Sequence, residues 1–184
     1  HDILAEARAA LDDPARADAD AVRDYRKAMK SWRAFLRLVE RFVGADGERL
    51  RIEARDLARA LAGARDVQAA LDALADIEEH EPGLSPTSLA TMRRRIEELR
   101  RAAETTTLTP HMREQLRAAL DSAARAVNFW ALGDIAFADL AGALARHYRR
   151  ARRAIPAVWT QAAPEELHAL RQRVVEHRYQ MELV

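Results

Sequence analysis

Residues Val22–Val43 read VRDYRKAMKSWRAFLRLVERFV. Wound as an α-helix at about 100° per residue, this stretch separates into two faces. Val22, Tyr25, Met29, Trp32, Phe35, Leu36, Val39 and Val43 share one side. Arg23, Arg26, Lys27, Lys30, Arg37 and Arg41 occupy an arc of about 100° on the other. An ordinary solvated face mixes signs, because opposite charges one turn apart attract. Here the acids Asp24 and Glu40 lie off the basic stripe. Like charges so arranged repel one another, and an anionic partner relieves the repulsion.

The rest of the chain repeats the helical pattern. Of its 184 residues, 49% are hydrophobic, and only six are glycine and six proline. Leu, Ala, Arg and Glu dominate and favour helix, so the fold class expected is all-α, built as antiparallel helical bundles. Helices are expected at 2–11, from Asp18 to Val43, and from the Gly44–Gly47 break in one long run to about His80. Further helices are expected over about 87–104, 110–131, 133–154 and from Pro164 onward. Ser85-Pro86 and Thr109-Pro110 each set a capping hydroxyl before a first-turn proline. Glu165-Glu166 suit the positive end of the last helix.

Composition also excludes. Without cysteine there is neither a disulfide framework nor a thiolate metal site, which suits a reducing cytoplasm. No apolar run approaches the ~20 residues that span a bilayer. No Gly-rich phosphate loop, H-E-x-x-H pair or carboxylate trio for Mg²⁺ stands out. No catalytic residues, metal or cofactor are therefore expected. Glu78-Glu79-His80 reads as a solvated helix end. Because the chain opens on His1 instead of Met, a fragment is expected.

The formal net charge of +1 hides a segregation. Arg23–Arg41 holds seven bases and two acids, residues 46–80 nine acids and five bases, and residues 141–184 eight bases and four acids. Two basic segments flank an acidic one, which points to a positive locus assembled from distant parts of the chain. Arg146, Arg149, Arg150 and Arg153 share a helix face, whereas Arg152 points elsewhere and reads as solvated. His177 falls on an apolar face, and His80 and His111 at helix ends. Trp32, Phe35, Trp130 and Phe137 are expected in the core.

Leu167–Val184, LHALRQRVVEHRYQMELV, can be laid on Val22–Val39 without a gap, so that Arg23 faces His168, Arg26 faces Arg171, Lys27 faces Gln172 and Lys30 faces Val175. An internal duplication is a natural reading. With Leu61-Ala62-Gly63-Ala64-Arg65-Asp66-Val67 and His147-Tyr148-Arg149-Arg150-Ala151-Arg152-Arg153-Ala154 between them, the ordered set resembles the CHAD domain, the conserved histidine α-helical domain. The resemblance covers nearly the whole chain. It implies a single domain of two pseudo-repeats of a four-helix type, about 1–131 and 133–184, the second incomplete. It further implies non-catalytic binding of inorganic polyphosphate in a basic groove, in the cytoplasm and at polyphosphate granules. The residues it nominates are Arg23, Arg26, Lys27, Lys30, Arg37, Arg65, Arg146, Arg149, Arg150, Arg153, His168 and Arg171. Arg65 has a competing reading as the ion-pair partner of Asp66.

This sequence departs from the family pattern. Arg23 stands where the family places histidine, so that position carries a permanent charge. Ser31, Gln172 and Val175 replace expected cations, and Glu182 adds an acid. Two other functions compete: a helical module for nucleic acid or an acidic partner, with nucleic acid the weaker competitor of polyphosphate, and a polyphosphate hydrolase or phosphotransferase.

Overall fold

The computed structural model describes residues 2–61, 63–80 and 85–184, and the side chains of these apart from 63–69, 72 and 100–107. Among the described residues the fold is all-α. The helices are α1 (Ile3–Asp12), α2 (Asp18–Leu38), α3 (Glu40–Ala60), α4 (Gly63–His80), α5 (Pro86–Thr107), α6 (Pro110–Phe129), α7 (Phe137–Arg153) and α8 (Pro164–Met181). Single 3₁₀ turns precede α7 and α8 at Leu132–Asp134 and Trp159–Gln161.

The apolar face of α2 does what its pattern requires. Val22, Tyr25, Met29, Trp32 and Leu36 are buried with Leu11 of α1, Leu50 and Ala54 of α3, and Leu116 and Leu120 of α6. Phe35 and Trp130 pack on this core, and Trp32 stacks between their rings at centroid distances of 5.4 and 6.4 Å. Arginines from α6 staple α1 in place: Arg117 pairs with Asp12 at 2.6 Å, and Arg113 reaches the Leu11 carbonyl and Asp18. Arg8 of α1 answers with Asp121.

Burial of α2 is not confined to that face. Ala34 and Leu38 are buried on the other side of the helix. Leu38 packs with Ala143 and Leu144 of α7, and Gln180 of α8 donates to the Ala34 carbonyl at 3.3 Å. Helix α2 is therefore central, with the first bundle on one side and the α7–α8 pair on the other. Helices α4 and α5 pack on each other, and Leu61 and Leu108 anchor this hairpin in the main core.

Several expected boundaries move. Helix α2 ends at Leu38 instead of Val43, because Val39 leaves helical geometry (φ −96°, ψ 7°). Gly44 is not a loop: it sits inside α3 at φ 55°, ψ −138°, and kinks it. That conformation is open to glycine and costly for any residue with a Cβ. Gly47 follows, buried where a Cβ would collide with the Val43 side chain. The long helix expected up to His80 is broken at Leu61, which is fully buried. Arg26 donates to the Leu61 carbonyl at 2.9 Å and satisfies an end-of-helix acceptor. Gly133 does not open α7, which begins at Phe137 with Asp139 accepting from the Ala136 N–H at 3.1 Å. Thr109 caps α6 as expected, accepting from Met112 at 3.1 Å, whereas Ser85 makes no side-chain cap. Phe137, expected in the core, is 62% exposed.

Candidate functional site

A cluster of mutually interacting arginines lies at the junction of α2, α3 and α8. The helical spacing of Arg33 and Arg37 puts them one turn apart on α2, and Arg51 and Arg55 repeat that spacing on α3. Burial is the main influence on the Arg33 guanidinium. Together with the charges of Arg51, Arg37 and Arg55 it holds that group below the ordinary guanidinium range, while Glu176 of α8 acts in the opposite direction. A guanidinium stays protonated at neutral pH even so. The Nε of Arg33 is buried and has no hydrogen-bond partner among the described residues. A buried donor left unpaired is unusual and costly.

Three carboxylates border this cluster, held in different ways. Glu48 accepts from Arg51 at Nε, 2.9 Å, and again at Nη2. That hydrogen bonding holds its carboxyl below the ordinary carboxylate range. Asp56 is lowered in the same way by Arg55, at 2.8 and 3.2 Å. Glu176 faces Arg37 at a looser 3.4 Å (Nε to Oε2), beyond ordinary hydrogen-bond length.

Of the residues nominated from the sequence, Arg37 belongs to this cluster. Arg26 lies on the same stripe, spent partly on the Leu61 carbonyl, and Lys30 is exposed between them on α2. Arg23 is 70% exposed and pairs with Asp20 at 2.8 Å and Asp24 at 3.4 Å. Lys27 is exposed. The Arg65 side chain lies outside the described residues. Arg146, Arg149, Arg150 and Arg153 stand exposed on the outer side of α7, whose inner side is Ala143, Leu144 and Ala151. Among the described residues no ion pair or hydrogen bond ties them to the α2–α3 cluster. His168 and Gln172 contact each other at 2.7 Å on exposed α8, and Arg171 is exposed. His177 is half-buried, its ring 5.8 Å from that of Tyr148, and its Nδ1 has no hydrogen-bond partner among the described residues. Arg152 lies 6.0 Å from the Tyr148 ring.

Sequence reasoning missed Arg33, Arg51 and Arg55. Arg33 falls between the basic arc and Val22 on the helical wheel, at the edge of the stripe. Arg51 and Arg55 sit in a segment that is acidic on average, yet Arg51, Arg55 and Arg59 recur every four residues, a stripe visible on a helical wheel.

Residues 2–184 match the CHAD domain family. The chain is a CHAD domain. No curated protein and no solved structure matches it significantly. Among the described residues of this CHAD domain, no group of three or more His, Asp or Glu is placed to hold a metal ion. No described helix is long and apolar enough to cross a membrane.

Proposed function

We propose that this CHAD domain binds inorganic polyphosphate non-catalytically, along a basic groove that starts at the α2–α3 cluster. The observation that carries the reading is the gathering of Arg37, Arg51 and Arg55 around the half-buried guanidinium of Arg33, whose Nε has no partner among the described residues. Guanidinium N–H groups match phosphate oxygens in geometry and charge. A bound anion also removes the like-charge repulsion. The family resemblance supplies polyphosphate as the anion, and with it the expectation of association with polyphosphate granules in the cytoplasm. Lys30 and Arg26 extend the track along α2. The exposed arginines Arg146, Arg149, Arg150 and Arg153 of α7, with His168 and Arg171 of α8, offer a long chain further contacts.

Calorimetric titration with long-chain polyphosphate in low salt tests the reading. Binding that weakens log-linearly with added salt, as counterion release requires, is the expected result; no heat and no retardation on a gel sink it. At matched phosphate concentration polyphosphate is expected to displace DNA and RNA. Incubation with Mg²⁺ is expected to release no phosphate, and Mg²⁺-dependent release marks an enzyme instead.

A further inference from the structure

Glu176 stands where an anion belongs. Its carboxylate comes from α8 into the α2 stripe, 3.4 Å from the Arg37 Nε, and offsets the repulsion felt by Arg33. The pair is a third exposed on each side and lacks hydrogen-bond geometry. Glu48, by contrast, is gripped by two N–H groups of Arg51 on its own helix. The backbone beneath Glu176 is fixed, because Gln180 one turn on is fully buried and bonded to both α2 and α7. The carboxylate can therefore leave Arg37 by rotating its side chain, without moving α8.

We propose that Glu176 is a resident counter-anion that makes the site discriminate against short phosphates in favour of long chains. The inference rests on the reading of the site as a polyphosphate groove. A short ligand spans Arg33 and Arg37 together only by displacing Glu176 from Arg37, and so bears the whole cost. A long chain presents many registers along α2, α3 and the outer arginines. It can hold Arg33 and pass beside the intact Arg37–Glu176 pair, which dilutes the cost. Glu176 is thus a specificity-determining residue.

The test compares tripolyphosphate and long-chain polyphosphate, each titrated calorimetrically into wild type, Glu176→Gln and Glu182→Gln at one ionic strength. Glu182 pairs with Arg178 at the end of α8, so its variant makes the same charge change away from the cluster. Glu176→Gln is expected to tighten tripolyphosphate by about fivefold, the scale of a partly exposed ion pair. Long chains should tighten by less than about twofold, and Glu182→Gln should leave the ratio of the two affinities unchanged. Equal tightening of both ligands by Glu176→Gln, or the same ratio change from Glu182→Gln, overturns the inference. Glu176→Asn carries the same expectation should the glutamine variant melt early. Wild type that binds neither ligand overturns the underlying reading; wild type that binds long chains, with an unchanged ratio in both Glu176 variants, overturns only the role of Glu176.

Discussion

His147 of α7 lies 2.6 Å, at Nδ1, from the Oε1 of Gln180 on α8, and Gln180 is wholly inaccessible to solvent. The amide oxygen can only accept, so the imidazole carries its proton on Nδ1. The other end of the same amide donates to the Ala34 carbonyl of α2 at 3.3 Å. One side chain thus fastens three helices, and it fixes α8 one turn from Glu176. Replacing it by leucine keeps most of the volume but leaves the His147 donor without its acceptor. The expected loss is about 1–2 kcal/mol, at the lower end for an unsatisfied group because His147 is only half-buried. Urea unfolding measures the loss, and hydrogen exchange should show it first in α8. An unchanged midpoint would show that the amide contributes nothing to α8 docking.

Gly44 and Gly133 should respond unequally to the same substitution. At φ 55°, ψ −138°, an alanine at position 44 meets backbone strain of about 1–3 kcal/mol, although nothing lies within 4 Å of its Cβ. Gly133 also has open space and no positive φ, so Gly133→Ala should change stability by less than about 0.5 kcal/mol. Thermal melts of the two variants side by side separate strain from packing. Equal melting temperatures would show that the backbone at position 44 imposes no glycine requirement.

Tyr25 gives the fold an alkaline limit. Burial, assisted by the nearby charge of Glu53, pushes its phenol far above the ordinary tyrosine value. The raised pKa favours the protonated form in the folded state, so its contribution is intact below the unfolded value of about 10. Above that pH the unfolded chain ionises while the folded chain resists, and stability falls as pH rises. Tyr25→Phe should flatten the fall in melting temperature between about pH 9 and 11, with little change at pH 7. A wild-type melting temperature as flat as that of the variant over this range contradicts the assignment.

The amphipathic pattern of Val22–Val43 carried the fold class, because one apolar face at helical period has few other uses. Where α2 stops was not legible. Val39 breaks the helix without a glycine or proline to mark it, while Gly44, which looks like a loop signal, only kinks α3. The wheel also assumes one buried face. Helix α2 has two, and Ala34 and Leu38 lie among its charged positions. That second contact narrows the usable stripe, drawing Arg37 inward while Arg23 stays with Asp20 and Asp24. Charge averaging hid the other wall of the site. Arg51 and Arg55 vanish into the average of an acidic segment, although they recur on one stripe of the helix. The approach of Glu176 depends on tertiary packing of α8, which no local pattern encodes.

Arg33 should be better for binding than for folding. Its Nε is buried with no partner among the described residues, and burial with three neighbouring arginines disfavours its charge. Replacing a partly desolvated, poorly paired ion by an apolar side chain of similar length is often neutral or stabilising. Arg33→Met is therefore expected to keep or raise the melting temperature. The same change removes one phosphate contact, so long-chain polyphosphate should bind about fivefold more weakly, and the slope of log affinity against log salt should fall by about one. Arg152→Gln, on the exposed side of α7 over Tyr148, is the comparison and should leave the melting temperature near wild type with a smaller loss of affinity. A lower melting temperature with an unchanged salt slope in Arg33→Met would make Arg33 a structural residue and move the anion site away from the junction of α2 and α3.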